Sequence, residues 1–264
     1  MITSVSNGRV KYIQTLMSKA SFRRKEGKFI AEGIKMFEEA PKGDILEVYI
    51  KEGAYDSFGI DVKKKLERIG YEVLSESVFK KVSDTVTPQG ILSVVKIPST
   101  DIQSIIKSDN PSIAILENIQ DPGNIGTIIR SAEGAGVSGI IMTKDCVDIF
   151  NPKVIRSTMG SIYRTKFAYT DNIEDTIDLL KKSGIKTYAC ALNKSAKAYD
   201  KNDYKAPSAF VIGNEGNGLK ESTVSACENV TYIPMCGSVE SLNASVAASL
   251  MMYEIFRQRR MEKE

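Results

Sequence analysis

Three short stretches in the second half of the chain gather the side chains that could do chemistry. The first is Asn118-Ile-Gln-Asp-Pro-Gly-Asn124-Ile-Gly126-Thr-Ile-Ile-Arg130. The second is Gly213-Asn-Glu215-Gly-Asn-Gly218. The third is Ile233-Pro-Met235-Cys-Gly-Ser-Val-Glu-Ser241-Leu242-Asn243-Ala-Ser245. Each follows an apolar run that reads as a strand, and each leads into a helical pattern. Three such strand-end loops predict one ligand crevice. The glycines permit positive φ and let backbone approach a ligand closely. Arg130 sits between Ile128-Ile129 and Ala132, so its stem is expected to be packed. A partly buried guanidinium needs an anion, either a carboxylate such as Glu215 or a substrate phosphate. A purely structural Arg–Glu pair satisfies the same pattern. Glu215 could order its neighbours or simply complement a helix N-terminus. Ser241 and Asn243 are good helix-capping types, and capping alone would account for them.

What is missing narrows the chemistry. The 264-residue chain has no histidine. That removes the usual serine and cysteine hydrolase triads and every His-containing metal site, and no metal is expected. Cys146, Cys190, Cys227 and Cys236 form no Cys-x-x-Cys pair. They read as buried thiols in a reducing cytoplasm. The glycines at 213, 216 and 218 have the wrong spacing for a dinucleotide fingerprint, and no Gly-Lys-Ser/Thr follows as in a P-loop. A nucleotide-dependent oxidoreductase therefore fits poorly. No apolar run reaches the length of a membrane span, about 18 residues. The first nine residues lack the features of a signal peptide, so a cytoplasmic location is expected.

Charge is unevenly distributed. Residues 1–98 carry 17 Lys/Arg against 13 Asp/Glu, and the remainder carries 19 against 20. Arg9, Arg23, Arg24 and Lys28 belong to a basic N-terminal stretch suited to a phosphate backbone. A solubilising face with no partner would look the same.

Behind these residues stand two sets of elements. The N-terminal part predicts a small α/β domain over residues 1–97. Its helices are expected over 7–18, 32–39 and 62–69, with strands over 28–31, 45–51, 71–74 and 91–95. Residues 98–111 are polar, apart from a helical turn around 102–106, and read as an interdomain linker. Residues 112–264 alternate strands (113–116, 139–143, 165–169, 186–192, 209–212, 230–234) with helices (124–135, 152–160, 172–183, 219–227). A long helix over 241–260 closes the chain, its apolar face expected at Leu242, Val246, Leu250, Tyr253 and Phe256. This rhythm predicts an α/β fold with a mostly parallel sheet covered on both faces.

In this order, the three loops resemble the signature motifs of the SpoU (TrmH-type) RNA 2′-O-ribose methyltransferases of the SPOUT superfamily. The first motif is matched by Asn124, Gly126 and Arg130, the second by Gly213, Glu215 and Gly218. The third is matched by Ile233-Pro-Met235 and Ser241-Leu-Asn-Ala-Ser245. Lys28-Phe-Ile-Ala-Glu-Gly33 and Pro88-Gln-Gly-Ile-Leu92 resemble, more loosely, the substrate-binding domain often fused to such enzymes. The resemblance implies a C-terminal trefoil knot, which chain physics would not suggest. It implies S-adenosylmethionine as cofactor, held at Leu192, Gly213, Ile233, Met235 and Leu242. It also implies a homodimer packed partly through the last helix, and catalysis by Arg130, Asn124, Glu215, Ser241 and Asn243.

Ribosomal RNA of the large subunit is the expected substrate. The alternatives are transfer RNA, methylation of a base instead of a ribose, and a non-catalytic RNA-binding protein on the same fold. Methyl transfer to a hydroxyl requires positioning and loss of one proton. Arginine is effectively always protonated. Arg130 is therefore expected to bind the target phosphate and lower the hydroxyl pKa. Glu215 is expected to orient Arg130 or Asn124, and Ser241 and Asn243 to hold the ribose or the third loop.

Overall fold

The structure, a computed structural model, describes residues 1–239 and 241–261. The chain divides into two compact units. One comprises Met1–Ser99 with Asp148–Tyr163, the other Thr100–Val147 with the chain from Arg164 onward.

The first unit begins with α1 (Gly8–Ser18), α2 (Ala20–Glu26), β1 (Lys28–Glu32) and α3 (Ile34–Glu39). It continues with β2 (Ile45–Lys51), α4 (Ile60–Ile69), β3 (Glu72–Leu74), α5 (Glu76–Val82) and β4 (Ile91–Lys96). Among the described residues the sheet order is β1-β4-β2-β3. The β1/β4 and β4/β2 pairs are antiparallel and β2/β3 is parallel. Apolar side chains leave both faces of the sheet. Val10, Ile13 and Leu16 of α1 meet Val78, Phe79 and Val82 of α5 in one core. Phe37, Val62 and Leu66 pack with Val48 and Ile50 in another.

The basic stretch is not a free arm. It folds as α2, which Gly27 ends in the left-handed region at φ 63°. Arg23 lies inside, 3 % exposed. Its Nε and Nη2 donate to Asp148 Oδ2 at 2.8 and 2.6 Å, and its Nη1 donates to the carbonyls of Leu16 and Met17 at 2.6 and 3.0 Å. Phe150 meets Phe29 with ring centroids 4.9 Å apart. These contacts draw Asp148–Tyr163 into the first unit, although sequence continuity places it with the C-terminal half.

Along the second unit run α6 (Ile102–Ile106), β5 (Ser112–Leu116), α7 (Pro122–Gly134) and β6 (Gly139–Thr143). Next in the chain comes α8 (Pro152–Ser157), which belongs to the first unit. The second unit resumes with β7 (Phe167–Thr170), α9 (Ile173–Lys182), β8 (Lys186–Cys190), β9 (Lys197–Ala198) and β10 (Ser208–Ile212). It ends with α10 (Glu221–Ala226), β11 (Asn229–Tyr232) and α11 (Ala244–Met261). Helix α8 stops earlier than its apolar pattern suggests, because Met159 and Gly160 adopt φ of 51° and 95°. The helical turn expected around 102–106 forms as a short helix. Asp101 Oδ1 accepts from Ser104 N at 2.6 Å and starts α6, whose Ile105 is fully buried in the core of this unit.

The seven-stranded sheet among the described residues has the order β7-β6-β5-β10-β8-β11-β9. All its strand pairs are parallel. Central strands β5 and β10 are buried at every position, as expected when both faces are covered. Helix α9 shows why one face is enough on the outside. Ile173, Thr176, Ile177 and Leu180 repeat at helical spacing and are buried. Asn172 Oδ1 caps its start by accepting from Asp175 N at 3.0 Å.

This topology positions the loops. Leu116 and Ile212 are register partners on adjacent strands, so the first and second motif loops leave the sheet side by side. The third follows β11, which lies beyond β8 in the same sheet.

The last helix departs from its expected face. Ala244, Ser245, Ala248, Met251, Met252 and Ile255 are buried, while Val246, Tyr253 and Phe256 are 46, 49 and 39 % exposed. The small residues face inward because α11 lies close against α7. There Ser249 and Ser131 share a hydrogen bond of 2.7 Å, and a side chain at Gly134 would meet the Tyr253 hydroxyl.

Candidate active site

The first loop is shaped by its own side chains. Asn118 adopts φ 54°, a conformation asparagine tolerates better than most residues. Asp121 Oδ1 accepts from Asn124 N at 2.8 Å and caps α7, with Pro122 in the first turn. Asn124 is thereby placed on the first turn of the helix, 7 % exposed.

The second loop is a tight reversal. Asn214 and Gly218 exchange backbone hydrogen bonds of 3.1 and 2.9 Å. A Cβ on Gly213 would lie 2.3 Å from the Gly218 carbonyl carbon, so only glycine fits there. Asn214 bridges two loops, its Nδ2 donating to Asn118 O at 2.8 Å.

Three side chains then join the three loops into one network. Asn243 Nδ2 donates to Asn124 Oδ1 at 2.9 Å, and Asn124 Nδ2 donates to Glu215 Oε1 at 2.8 Å. Asn243 Oδ1 accepts from Ser245 N and Ser245 Oγ at 2.9 and 2.6 Å, capping α11. Glu215 also accepts from the backbone N–H groups of Asp121 and Gln120 at 3.2 and 3.3 Å. Burial alone would raise the Glu215 pKa. The hydrogen bonds from Asn124 and from backbone N–H groups outweigh it and hold the carboxyl below its ordinary value.

Beside this network lies a cleft of about 690 Å³. Leu192, Gly213, Ile233, Met235 and Leu242 all line it, together with Glu215 and Ser241. Ile212, Leu219, Ala247 and Met251 add apolar surface. Cys190 also borders the cleft, where burial pushes its thiol pKa far up and keeps it neutral.

Arg130 differs from its expected setting. It is exposed, and among the described residues it makes no hydrogen bond or ion pair. It neither pairs with Glu215 nor lines the cleft. Glu215 is taken instead by Asn124 and the first loop. The basic N-terminal residues also part ways. Arg23 is buried against Asp148 and is withdrawn as an RNA contact. Arg9 pairs with Glu72, and the Lys28 ammonium lies 5.5 Å from the centre of the Tyr12 ring. Arg24 remains exposed.

Two participants went unnoticed in the sequence. Asn214 carried the signal of an asparagine inside a glycine turn. Glu117, 1 % exposed, carried that of a lone carboxylate closing an apolar strand. It accepts from Lys220 N at 3.0 Å and Thr223 Oγ1 at 2.8 Å, fixing the far end of the second loop.

Comparison with known proteins agrees with this geometry. Residues 111–253 match the SpoU rRNA Methylase family, and residues 7–93 match the MRM3-like substrate binding domain. The chain is 32 % identical over 257 residues to the 23S rRNA (guanosine(2553)-2′-O)-methyltransferase RlmP of Bacillus subtilis, covering 96 % of this chain and 98 % of that protein. It is 30 % identical over 223 residues to the 23S rRNA (guanosine-2′-O-)-methyltransferase RlmB of Shewanella oneidensis, covering 82 % of this chain and 90 % of that one. The AdoMet-bound rRNA methyltransferase from Sinorhizobium meliloti superposes with a TM-score of 0.83 at 29 % identity, over 97 % of each chain.

Proposed function

The chain belongs to the SpoU rRNA methylase family, and from that premise we propose that it is an S-adenosylmethionine-dependent methyltransferase acting on a ribose 2′-hydroxyl of large-subunit ribosomal RNA. The observation that carries this reading is the Asn243–Asn124–Glu215 network, which ties all three motif loops together beside one cleft.

The cleft suits the cofactor on its own terms. Its volume lies within the usual range for small-molecule sites, roughly 300–1,000 Å³. Met251, Ala247 and Ile212 offer apolar surface to a planar base. Residues 233–239 and 241–243 lie outside any helix or strand, which leaves backbone donors and acceptors for polar edges. Leu192, Gly213, Ile233, Met235 and Leu242 would hold the cofactor, which supplies an electrophilic methyl group when bound.

The remaining work falls to the protein's side chains. The attacking 2′-hydroxyl must lose a proton, and no imidazole is available. An arginine guanidinium is no proton acceptor, so Arg130 acts by position and charge. It binds the phosphate beside the target ribose and lowers the hydroxyl pKa, and the proton leaves to a phosphate oxygen or water. Its lack of a partner among the described residues supports this role. Glu215 positions Asn124. Asn243 holds the third loop through Asn124 and Ser245, and the Ser241 hydroxyl serves the ribose.

In this reading residues 1–97 select RNA and residues 112–264 carry the knotted catalytic domain. Arg24, Lys25 and Lys11 offer exposed charge to the RNA backbone. The enzyme acts in the cytoplasm as a homodimer. The exposed stripe of Val246, Tyr253 and Phe256 on α11 supports that pairing. Among the described residues no helix is long and apolar enough to cross a membrane.

Calorimetry with S-adenosylmethionine tests the cleft. Wild-type protein should bind saturably, and Gly213→Ala should lose binding because its Cβ collides with the loop. No binding by the wild type contradicts the proposal.

A further inference from the structure

The turn at 214–218 has a second side. Asn214, Asn217, Gly218 and Leu219 border the cleft described above and also a separate cavity of about 310 Å³. Glu117, Asn118 and Lys220 complete this second cavity and do not border the first. We propose that this cavity receives one unpaired nucleobase of the RNA and reads its acceptor edge through Lys220 Nζ and Asn118 Nδ2. This inference rests on the reading of the chain as an RNA methyltransferase.

The donors are available. The Lys220 side chain is 64 % exposed, and its ammonium stands 3.7 Å from Glu117 Oε1, a weak partner that holds it over the cavity. Asn118 uses its Oδ1 to accept from Gln120 Nε2, and its backbone is engaged on both sides. Its Nδ2 has no partner among the described residues. Glu117 itself is firmly held by Lys220 N and Thr223 Oγ1, so it positions the lysine.

Size and charge select the ligand class. The cavity lies at the lower end of ordinary ligand pockets and has no room for a base pair. A buried carboxylate at its wall disfavours a phosphate. A base supplies what the lining needs: a flat face for Leu219 and neighbouring acceptors for two donors. Guanine, with O6 beside N7, is the best match to paired donors. Single-stranded or looped RNA presents such a base without cost of unpairing.

Two variants test this with in vitro transcribed large-subunit rRNA as the probe. Lys220→Ala removes an exposed side chain and keeps the backbone N–H that Glu117 needs. Asn118→Gly removes the carboxamide and accepts φ 54° without strain. Each should raise the KM for RNA about tenfold, the loss expected for one hydrogen bond to a base. In Lys220→Ala the kcat and the affinity for S-adenosylmethionine should stay within about twofold, and the salt dependence of RNA binding should not change. An unchanged KM in both variants overturns the inference. So does a parallel loss of S-adenosylmethionine affinity, which would mean the residues only brace the loop. A salt slope reduced by about one in Lys220→Ala would identify a phosphate contact and also overturn it. A wild-type enzyme that methylates no RNA defeats the underlying function instead.

Discussion

Arg23 and Arg130 show how differently one residue type is used in the two units. Arg23 lies in the more basic half of the chain, yet its guanidinium is buried and saturated by Asp148 and two carbonyls. Arg130 lies in the half with no excess of positive charge. It is exposed and makes no ion pair among the described residues. Charge already satisfied inside the fold is available to stability and not to substrate. Charge left exposed and unsatisfied is available to a substrate. The contrast assigns Arg23 to folding and leaves Arg130 free for the turnover role proposed above.

The assignment is broken or sharpened by substitution. The largest effect is expected at Arg130. Arg130→Ala should cut turnover by a factor of about a hundred to a thousand, as when one donor to a reacting centre is removed. Its S-adenosylmethionine affinity should be intact by calorimetry. Arg23→Ala should do the reverse. Leaving Asp148 without its partner should cost about 3–5 kcal/mol in chemical denaturation, with the salt slope of RNA binding unchanged. Loss of RNA affinity without loss of stability would reverse the two roles.

A subtler effect concerns Glu215. Its folded pKa lies below the ordinary 4.5. The carboxylate therefore contributes stability that is complete above that ordinary value. This contribution is lost as pH falls through the lower, folded one. Glu215→Gln should flatten the acid limb of a stability-versus-pH curve in this window. An identical acid limb would mean that the network with Asn124 adds nothing to the fold.

If the proposed dimer forms through the exposed stripe of α11, Tyr253→Glu should give a monomer in light scattering. A wild-type monomer would remove that interface. The smallest effect belongs to Arg24. Arg24→Ala should lower the salt slope of RNA binding by about one with little change in stability.

Much of this arrangement was legible beforehand. The strand and helix rhythm of the second unit follows from period alone. The three loops could be located because glycine, asparagine and proline punctuate apolar runs. Three features escaped for physical reasons. Arg23 and Asp148 are 125 residues apart, and no local pattern joins them. On α11 Val246, Tyr253 and Phe256 mark the exposed stripe, while Ala244, Ser245 and Ala248 join Met251, Met252 and Ile255 on the buried one. Close helix approach selects small side chains, so a search for large apolar residues finds the wrong face. Glu117 escaped because a lone charge ending a strand reads as a loop residue, until its partners Lys220 and Thr223 are seen.

The measurement that tests the central claim most directly is transfer of labelled methyl from S-adenosylmethionine to unmodified large-subunit rRNA, followed by digestion to nucleosides. The account predicts label in a 2′-O-methylated nucleoside, dependent on Arg130. Label on a base, or none on this RNA in either free or ribosome-assembling form, would contradict it.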